Sequence, residues 1–202
     1  MRVHFLIGLI LFCSSCANLP ERFPDTTPTQ QSAVVFDIDG TLTPSPWQFW
    51  RARDGAAAAV SQYAALGYEI IYITARIQLL QCHIPGWLED EGFPLGNLYV
   101  TQSAADRADA ETFKRRVLRE WQTRGWEVMA AFGDSSSDFT AYSAEGVDQA
   151  RIIGLRRAGR RGGPGGERRR GGRRGLSWVR APGVRGPPSA RRRAARAAGG
   201  GG

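Results

Sequence analysis

Four carboxylates, one ammonium and one hydroxyl are the residues of this chain whose types and spacing could do chemistry. Asp37 and Asp39, in Asp37-Ile38-Asp39-Gly40-Thr41, directly follow the apolar run 33–36. Asp134 and Asp138 stand in the stretch 133–138, just after a second apolar run at 128–132. Thr74 ends a β-branched run at 69–74, and Lys114 is the single lysine among 27 basic residues. A compact ammonium, in a chain that otherwise writes its cations as arginine, is a candidate point charge for an anion. Two like charges about 4 Å apart repel by about 4 kcal/mol at an effective dielectric of about 20, so the carboxylates together call for a bound divalent cation. All the candidate ligands are hard oxygens with no imidazole or thiolate beside them, which favours magnesium (Mg2+) over zinc. The blander alternatives are an Asp-rich turn closing a strand and a solvated cation on a helix face.

The elements that must position these residues alternate in type. Apolar and β-branched runs predict strands at 33–37, 69–74, 97–100, 127–132 and 150–154. Helical patterns fall at 54–66, 77–91, 109–124 and 136–145, the second interrupted by Pro85-Gly86. Gly67, Gly92 and Gly125 stand where helices would end. This series predicts an α/β fold, a Rossmann-like three-layer parallel five-stranded sheet with right-handed crossovers. Ligands bind such sheets at the carboxyl ends of the strands, which is where Asp37, Thr74 and Asp134 would be delivered. The segments 41–74 and 75–114 are only long enough for the sheet's own elements, so a capless or minimally capped site is expected, open to bulky substrates. Trp47 and Trp50 follow the first acidic motif and are candidates for the border of the site mouth, or for core packing.

The order Asp-Xaa-Asp-Gly-Thr, strand then Thr74, Lys114, and Gly-Asp-Xaa-Xaa-Xaa-Asp resembles the haloacid dehalogenase superfamily of phosphohydrolases over roughly 33–153. The resemblance implies that Asp37 is the nucleophile forming an aspartyl-phosphate and Asp39 the acid/base. It implies that Thr74 and Lys114 hold the phosphoryl oxygens. Asp37, the Asp39 carbonyl and Asp134 would then ligate magnesium, with Asp138 supporting them from behind. The wider pattern, including Leu66 to Arg76, Gly86-Trp87-Leu88, Phe113-Lys114 and Ala131-Phe132-Gly133, looks like the lipin-type phosphatidate phosphatases. Asp134 departs from that type, where Asn is expected. The leading expectation is a phosphomonoester hydrolase acting on phosphatidate or another bulky phosphoester. Two alternatives stay open: a broad-specificity exported acid phosphatase or nucleotidase, and a non-catalytic phospholipid-binding module.

The formal charge of +8 describes the end of the chain, since residues 155–202 hold fifteen Arg against a single Glu while residues 1–154 are net acidic. Arg, Gly, Ala and Pro dominate that tail, and all four can be written with G and C alone. Translation out of frame and a disordered basic arm both account for it. With Trp178 as its one aromatic, nucleic-acid binding is not expected. Residues 1–17 read as a signal peptide: a basic start, an apolar segment 5–12 too short to span a bilayer, then Cys13-Ser14-Ser15-Cys16. Ser14-Ser15-Cys16 resembles a bacterial lipoprotein box, with Cys13 where Leu is usual and Cys16 as the lipidated residue, which would anchor the chain to a membrane facing the periplasm. Cleavage after Ala17, leaving a soluble exported protein, is the alternative. Residues 18–32 would form a flexible tether and 33–154 the phosphatase domain. With Cys16 acylated, Cys82 would have no partner and no structural disulfide is expected.

Overall fold

A computed structural model of the chain describes residues 19–24 and 31–157. The expected signal segment with Cys16, and the tail from residue 158 onward, lie outside the described residues. Five strands carry the fold: β1 Gln31–Asp37, β2 Glu69–Thr74, β3 Asn97–Val100, β4 Trp126–Gly133 and β5 Ile152–Gly154. They form one parallel sheet in the order β3-β2-β1-β4-β5, so the chain crosses from β3 at one edge to β4 beside β1. The reversal of direction falls between β1 and β4, which places a crevice at the carboxyl end of β1.

Burial on both faces explains why β1 and β2 read as continuous apolar runs rather than alternating ones. Val34, Phe36, Ile70 and Tyr72 turn to one face, and Ala33, Val35, Ile71 and Ile73 to the other. Helices α1 (Ala56–Ala65), α2 (Gln78–Gln81) and α3 (Ile84–Asp90) follow β1 and β2. Val60 and Tyr63 of α1 and Trp87 and Leu88 of α3 close the first face. The second is closed by α5 (Ala110–Thr123), through Phe113, Val117 and Trp121, and by α6 (Ser136–Ala144), through Tyr142. Phe36 stacks on Phe132 of β4 at 4.7 Å, and Trp121 meets Trp126 edge-on at 5.0 Å. The three-layer parallel α/β fold expected from the sequence is therefore observed, and no cap domain interrupts it among the described residues.

Three details differ from expectation. The helix predicted over 109–124 is preceded by a short separate helix, α4 (Ala104–Ala108); Ser103 caps α4 and Asp109 caps α5. Each cap accepts a backbone N–H three residues on, which satisfies a donor that a helix start leaves free. The tether expected over 18–32 is seated along part of its length. Phe23 packs on Tyr99 at 4.8 Å, the Tyr99 hydroxyl donates to the Arg22 carbonyl at 2.6 Å, and Arg116 pairs with Glu21 at 2.7 Å. Finally, Cys82 is disulfide-bonded, so the expectation of no disulfide does not hold.

Candidate active site

β1 ends in Asp37, and the chain then turns through a tight loop, Ile38–Leu42. Gly40 makes that turn possible: its φ of +88° suits glycine, and a Cβ there would fall 1.9 Å from the Asp134 carboxylate. The loop is held from inside. Gly40 N–H donates to Thr43 Oγ1 at 2.9 Å, and the buried Arg53 guanidinium donates to the carbonyls of Gly40 and Thr41 at 2.6 and 2.9 Å. Arg53 also reaches the Arg156 carbonyl at 3.1 Å, tying the segment after β5 to the acidic motif.

β4 and α6 supply the facing wall. Gly133 ends β4, Ser135 caps α6, and Asp138 in the first turn closes a capping box with Ser135. One Asp138 oxygen accepts from the Asp134 and Ser135 N–H groups at 3.0 and 2.9 Å and from the Ser135 hydroxyl at 2.7 Å. Its other oxygen accepts from Lys114, in the first half of α5. The same ammonium donates to Asp37 Oδ1 at 2.6 Å, so one buried cation bridges two buried carboxylates. Asp37 Oδ2 is buried and has no hydrogen-bond partner among the described residues.

The electrostatics follow from that burial. Desolvation pushes the Asp37 carboxyl up to about 8; Lys114 opposes the rise, and the Asp138 and Asp39 carboxylates add to it. Burial also works against charge on Lys114 and on Asp138, but mutual attraction wins for both. Asp37 and Asp138 hold the ammonium above its ordinary range, while Lys114 and the Ser135 donors hold Asp138 below its own.

Carboxylate oxygens of Asp37, Asp134 and Asp138 lie within 4.8 Å of one another. Three hard oxygens, one of them on a carboxylate with an unsatisfied buried atom, suit a divalent cation such as magnesium. The Asp39 carboxylate is not in this group. It turns to β2, where Thr74 Oγ1 donates to it at 2.6 Å and Arg76 grips it through Nη2 at 2.6 Å and Nε at 3.1 Å. The structure therefore brings all six expected residues to one end of the sheet but divides them into two clusters, with Lys114 on Asp37 and Asp138 and Thr74 on Asp39.

Three arginines were not singled out from the sequence. Arg53 secures the motif loop. Arg76 is buried, caged by Trp50, Phe49 and Trp87 with ring centroids at 4.9, 5.4 and 6.0 Å. Arg157 donates to both oxygens of Asp134. The one available signal was position, since Arg76 stands two residues beyond the hydroxyl that ends β2. Over both clusters opens a cavity of about 480 Å³; Asp37, Asp39, Lys114 and Asp134 are in its lining, with Pro46, Trp47, Phe49, Ile77 and Leu80 as apolar walls. Trp47 and Phe49 thus border the mouth, as the sequence suggested for this stretch.

Over residues 34–155 the chain matches the family described as "PITM 1-3, LNS2 domain". Protein retinal degeneration B of Drosophila melanogaster is 33% identical over 133 residues, which are 63% of this chain and 10% of that protein. Membrane-associated phosphatidylinositol transfer protein 3 of Homo sapiens is 28% identical over 131 residues, 62% of this chain and 13% of that protein. The chain thus spans only about a tenth of the length of the curated relatives it matches. Among solved structures, a chain of the Pnkp1/Rnl/Hen1 RNA repair complex superposes with a TM-score of 0.54 at 14% identity, covering 69% of this chain and 47% of that one. That last likeness is one of fold.

Proposed function

This chain belongs to the LNS2 domain family, a module of haloacid dehalogenase type, and from that premise we propose that it is a magnesium-dependent phosphomonoester hydrolase acting on phosphatidate or a similarly bulky phosphoester. One observation carries the reading: a buried Asp37 with one oxygen held by Lys114 and the other unsatisfied, facing Asp134 and Asp138 at the end of the central strand. Relatives of the chain are named as phosphatidylinositol transfer proteins, which favours a phospholipid among phosphoesters.

In this reading Asp37 attacks phosphorus and the alkoxide leaves with a proton from Asp39. Asp39, now a carboxylate, takes a proton from the water that hydrolyses the aspartyl-phosphate, releasing phosphate and restoring Asp37 as the carboxylate and Asp39 as the protonated acid. Asp37 and Asp134 would hold magnesium, whose positive charge would keep Asp37 ionised and offset the charge of the phosphate. Lys114 orients Asp37 by donating to one of its oxygens, and Asp138 in turn fixes Lys114. Thr74 and Arg76 orient Asp39 on the far side of the cavity.

A second reading, a phospholipid-binding module without turnover, is favoured by one observation. Both Asp39 and Asp134 are engaged by arginines, Arg76 and Arg157, rather than standing free. Hydrolysis of phosphatidate in detergent micelles, of nucleotides and of p-nitrophenyl phosphate, each with and without magnesium, separates the readings. The proposal expects magnesium-dependent release of phosphate from phosphatidate, abolished in Asp37→Asn with an unchanged circular dichroism spectrum. Phosphatidate binding without release of phosphate from any ester would establish the second reading instead.

A further inference from the structure

Two basic side chains hold the acidic cluster at the tip of β1, and they differ in how firmly they are seated. The Lys114 side chain is 4% exposed and donates to both Asp37 and Asp138. The Arg157 side chain is 38% exposed, lies in the lining of the cavity and donates to Asp134. Of the two, the guanidinium is the one placed to turn outward.

Asp134 has little room to move away from it. Its side chain is 2% exposed, and Gly40 stands so close that an added Cβ would fall 1.9 Å from Oδ2. Among the described residues, its carboxylate accepts hydrogen bonds from Arg157 alone, through both oxygens. A cation drawn to Asp37, Asp134 and Asp138, whose oxygens lie within 4.8 Å of one another, therefore meets a positive charge already seated on one of its ligands. Two positive groups at this range repel, so they cannot share Asp134. Charge balance favours an exchange. Lys114 and Arg157 offset two of the three carboxylates, whereas a divalent ion in place of the guanidinium, with Lys114 unmoved, offsets all three. The backbone can stay while the side chain leaves, because its anchors do not involve the Asp134 carboxylate. Leu155 N–H donates to the Gly133 carbonyl at 2.8 Å, and the Arg156 carbonyl accepts from Arg53 at 3.1 Å.

We propose that Arg157 is an autoinhibitory latch: it occupies the cation position at Asp134, and a divalent cation must displace it to load the site. The proposal rests on the reading of Asp37, Asp134 and Asp138 as the cation site, not on turnover, and deepens it by naming what sets the cation concentration at which the site fills. Arg53 fixes the reach of the latch. The same guanidinium that holds the Arg156 carbonyl holds those of Gly40 and Thr41 at 2.6 and 2.9 Å, so the arm and the loop it closes on are tied to one post. By linkage, latch and cation weaken each other by one and the same factor.

The test uses the full chain and magnesium alone, read in two ways. Calorimetry at constant ionic strength compares the parent with Arg157→Ala. Phenylglyoxal, a reagent for free guanidinium groups, followed by peptide mass spectrometry, reads how often Arg157 stands away from Asp134. The expected results are a magnesium affinity about fivefold higher in Arg157→Ala, and labelling of Arg157 in the parent about fivefold faster with magnesium than in chelator. Buried Arg53 is the internal reference, labelled alike in both. Millimolar guanidinium chloride should return the affinity of the variant towards that of the parent by refilling the vacated place, and should leave the parent unchanged. An arginine with a merely structural role would show no such refilling. If Arg157→Ala does not fold, labelling of the parent decides. Equal magnesium affinity in parent and variant overturns the proposal, as does labelling of Arg157 that is indifferent to magnesium. So do failure of guanidinium to weaken magnesium binding by the variant and absence of magnesium uptake in both proteins. Hydrolysis of p-nitrophenyl phosphate and of phosphatidate keeps the two ideas apart. Magnesium-dependent turnover with magnesium-indifferent labelling sinks the latch alone, whereas exchange without turnover of any ester sinks the catalytic reading alone.

Discussion

Replacing Lys114 with Met removes the one cation that two buried carboxylates share, and the structure sets both the size and the pH dependence of the damage. The Lys114 ammonium is 2.6 Å from Asp37 Oδ1 and also donates to Asp138. Deleting one partner of a buried ion pair leaves uncompensated charge, at a cost of about 3–5 kcal/mol. Asp138 keeps three donors on its second oxygen and can remain ionised. Asp37 keeps none and must bind a proton instead. Burial already raises the Asp37 carboxyl from 3.8 to about 8 in the parent, where Lys114 resists the rise. A group with a raised folded pKa stabilises the fold fully below its unfolded pKa and loses that contribution as pH climbs through the folded value. For metal-free parent protein, this contribution from Asp37 therefore fades between about pH 4 and about pH 8. In Lys114→Met the rise is unopposed, so the loss extends further into alkali. Asp138 changes in the same sense, because its depressed pKa contributes stability above its unfolded value and Lys114 is a cause of that depression. Urea unfolding in chelator is thus expected to show a gap between parent and variant of about 3 kcal/mol or more near pH 8, shrinking towards pH 5. A gap below about 1 kcal/mol at pH 8, or one that widens on acidification, would refute the account of Lys114 as the bridge.

Other substitutions test the surroundings of that bridge. Gly40→Ala adds a Cβ 1.9 Å from Asp134 Oδ2 at a φ of +88°, so a stability loss of about 1–3 kcal/mol and weaker magnesium uptake by calorimetry are expected. Arg53→Met strips donors from the Gly40, Thr41 and Arg156 carbonyls, and thermal unfolding should reveal a loss of about 2–3 kcal/mol. Arg157→Ala frees Asp134; if that arginine competes with a cation, calorimetric magnesium affinity should rise about fivefold, in line with about 1 kcal/mol for a partly exposed pair.

What could be read from the chain, and what could not, divides along sequence distance. β1, β2 and β4 were legible because each is apolar on both faces and ends in a polar residue within a few positions. The order of the motifs then placed Asp37, Thr74, Lys114 and Asp134 at one edge. Side-chain direction was not legible. Arg76 meets Asp39 across 37 positions and Arg157 meets Asp134 across 23, and no periodicity links such pairs. The same holds for Arg53 and the Arg156 carbonyl, 103 positions apart. The break between α4 and α5 was locally encoded by Ser103 and Asp109, each capping three residues ahead, but the stronger apolar period of α5 masked it.

β1 is flanked by β2 on one side and β4 on the other, and Asp37 sits at its tip. The β1 strand is paired on both sides within the sheet, so exchange of its amide protons should report the global opening of the molecule rather than local fraying. It follows that heating should extinguish whatever Asp37 does at the same rate at which the whole domain unravels, with no earlier, milder stage of inactivation.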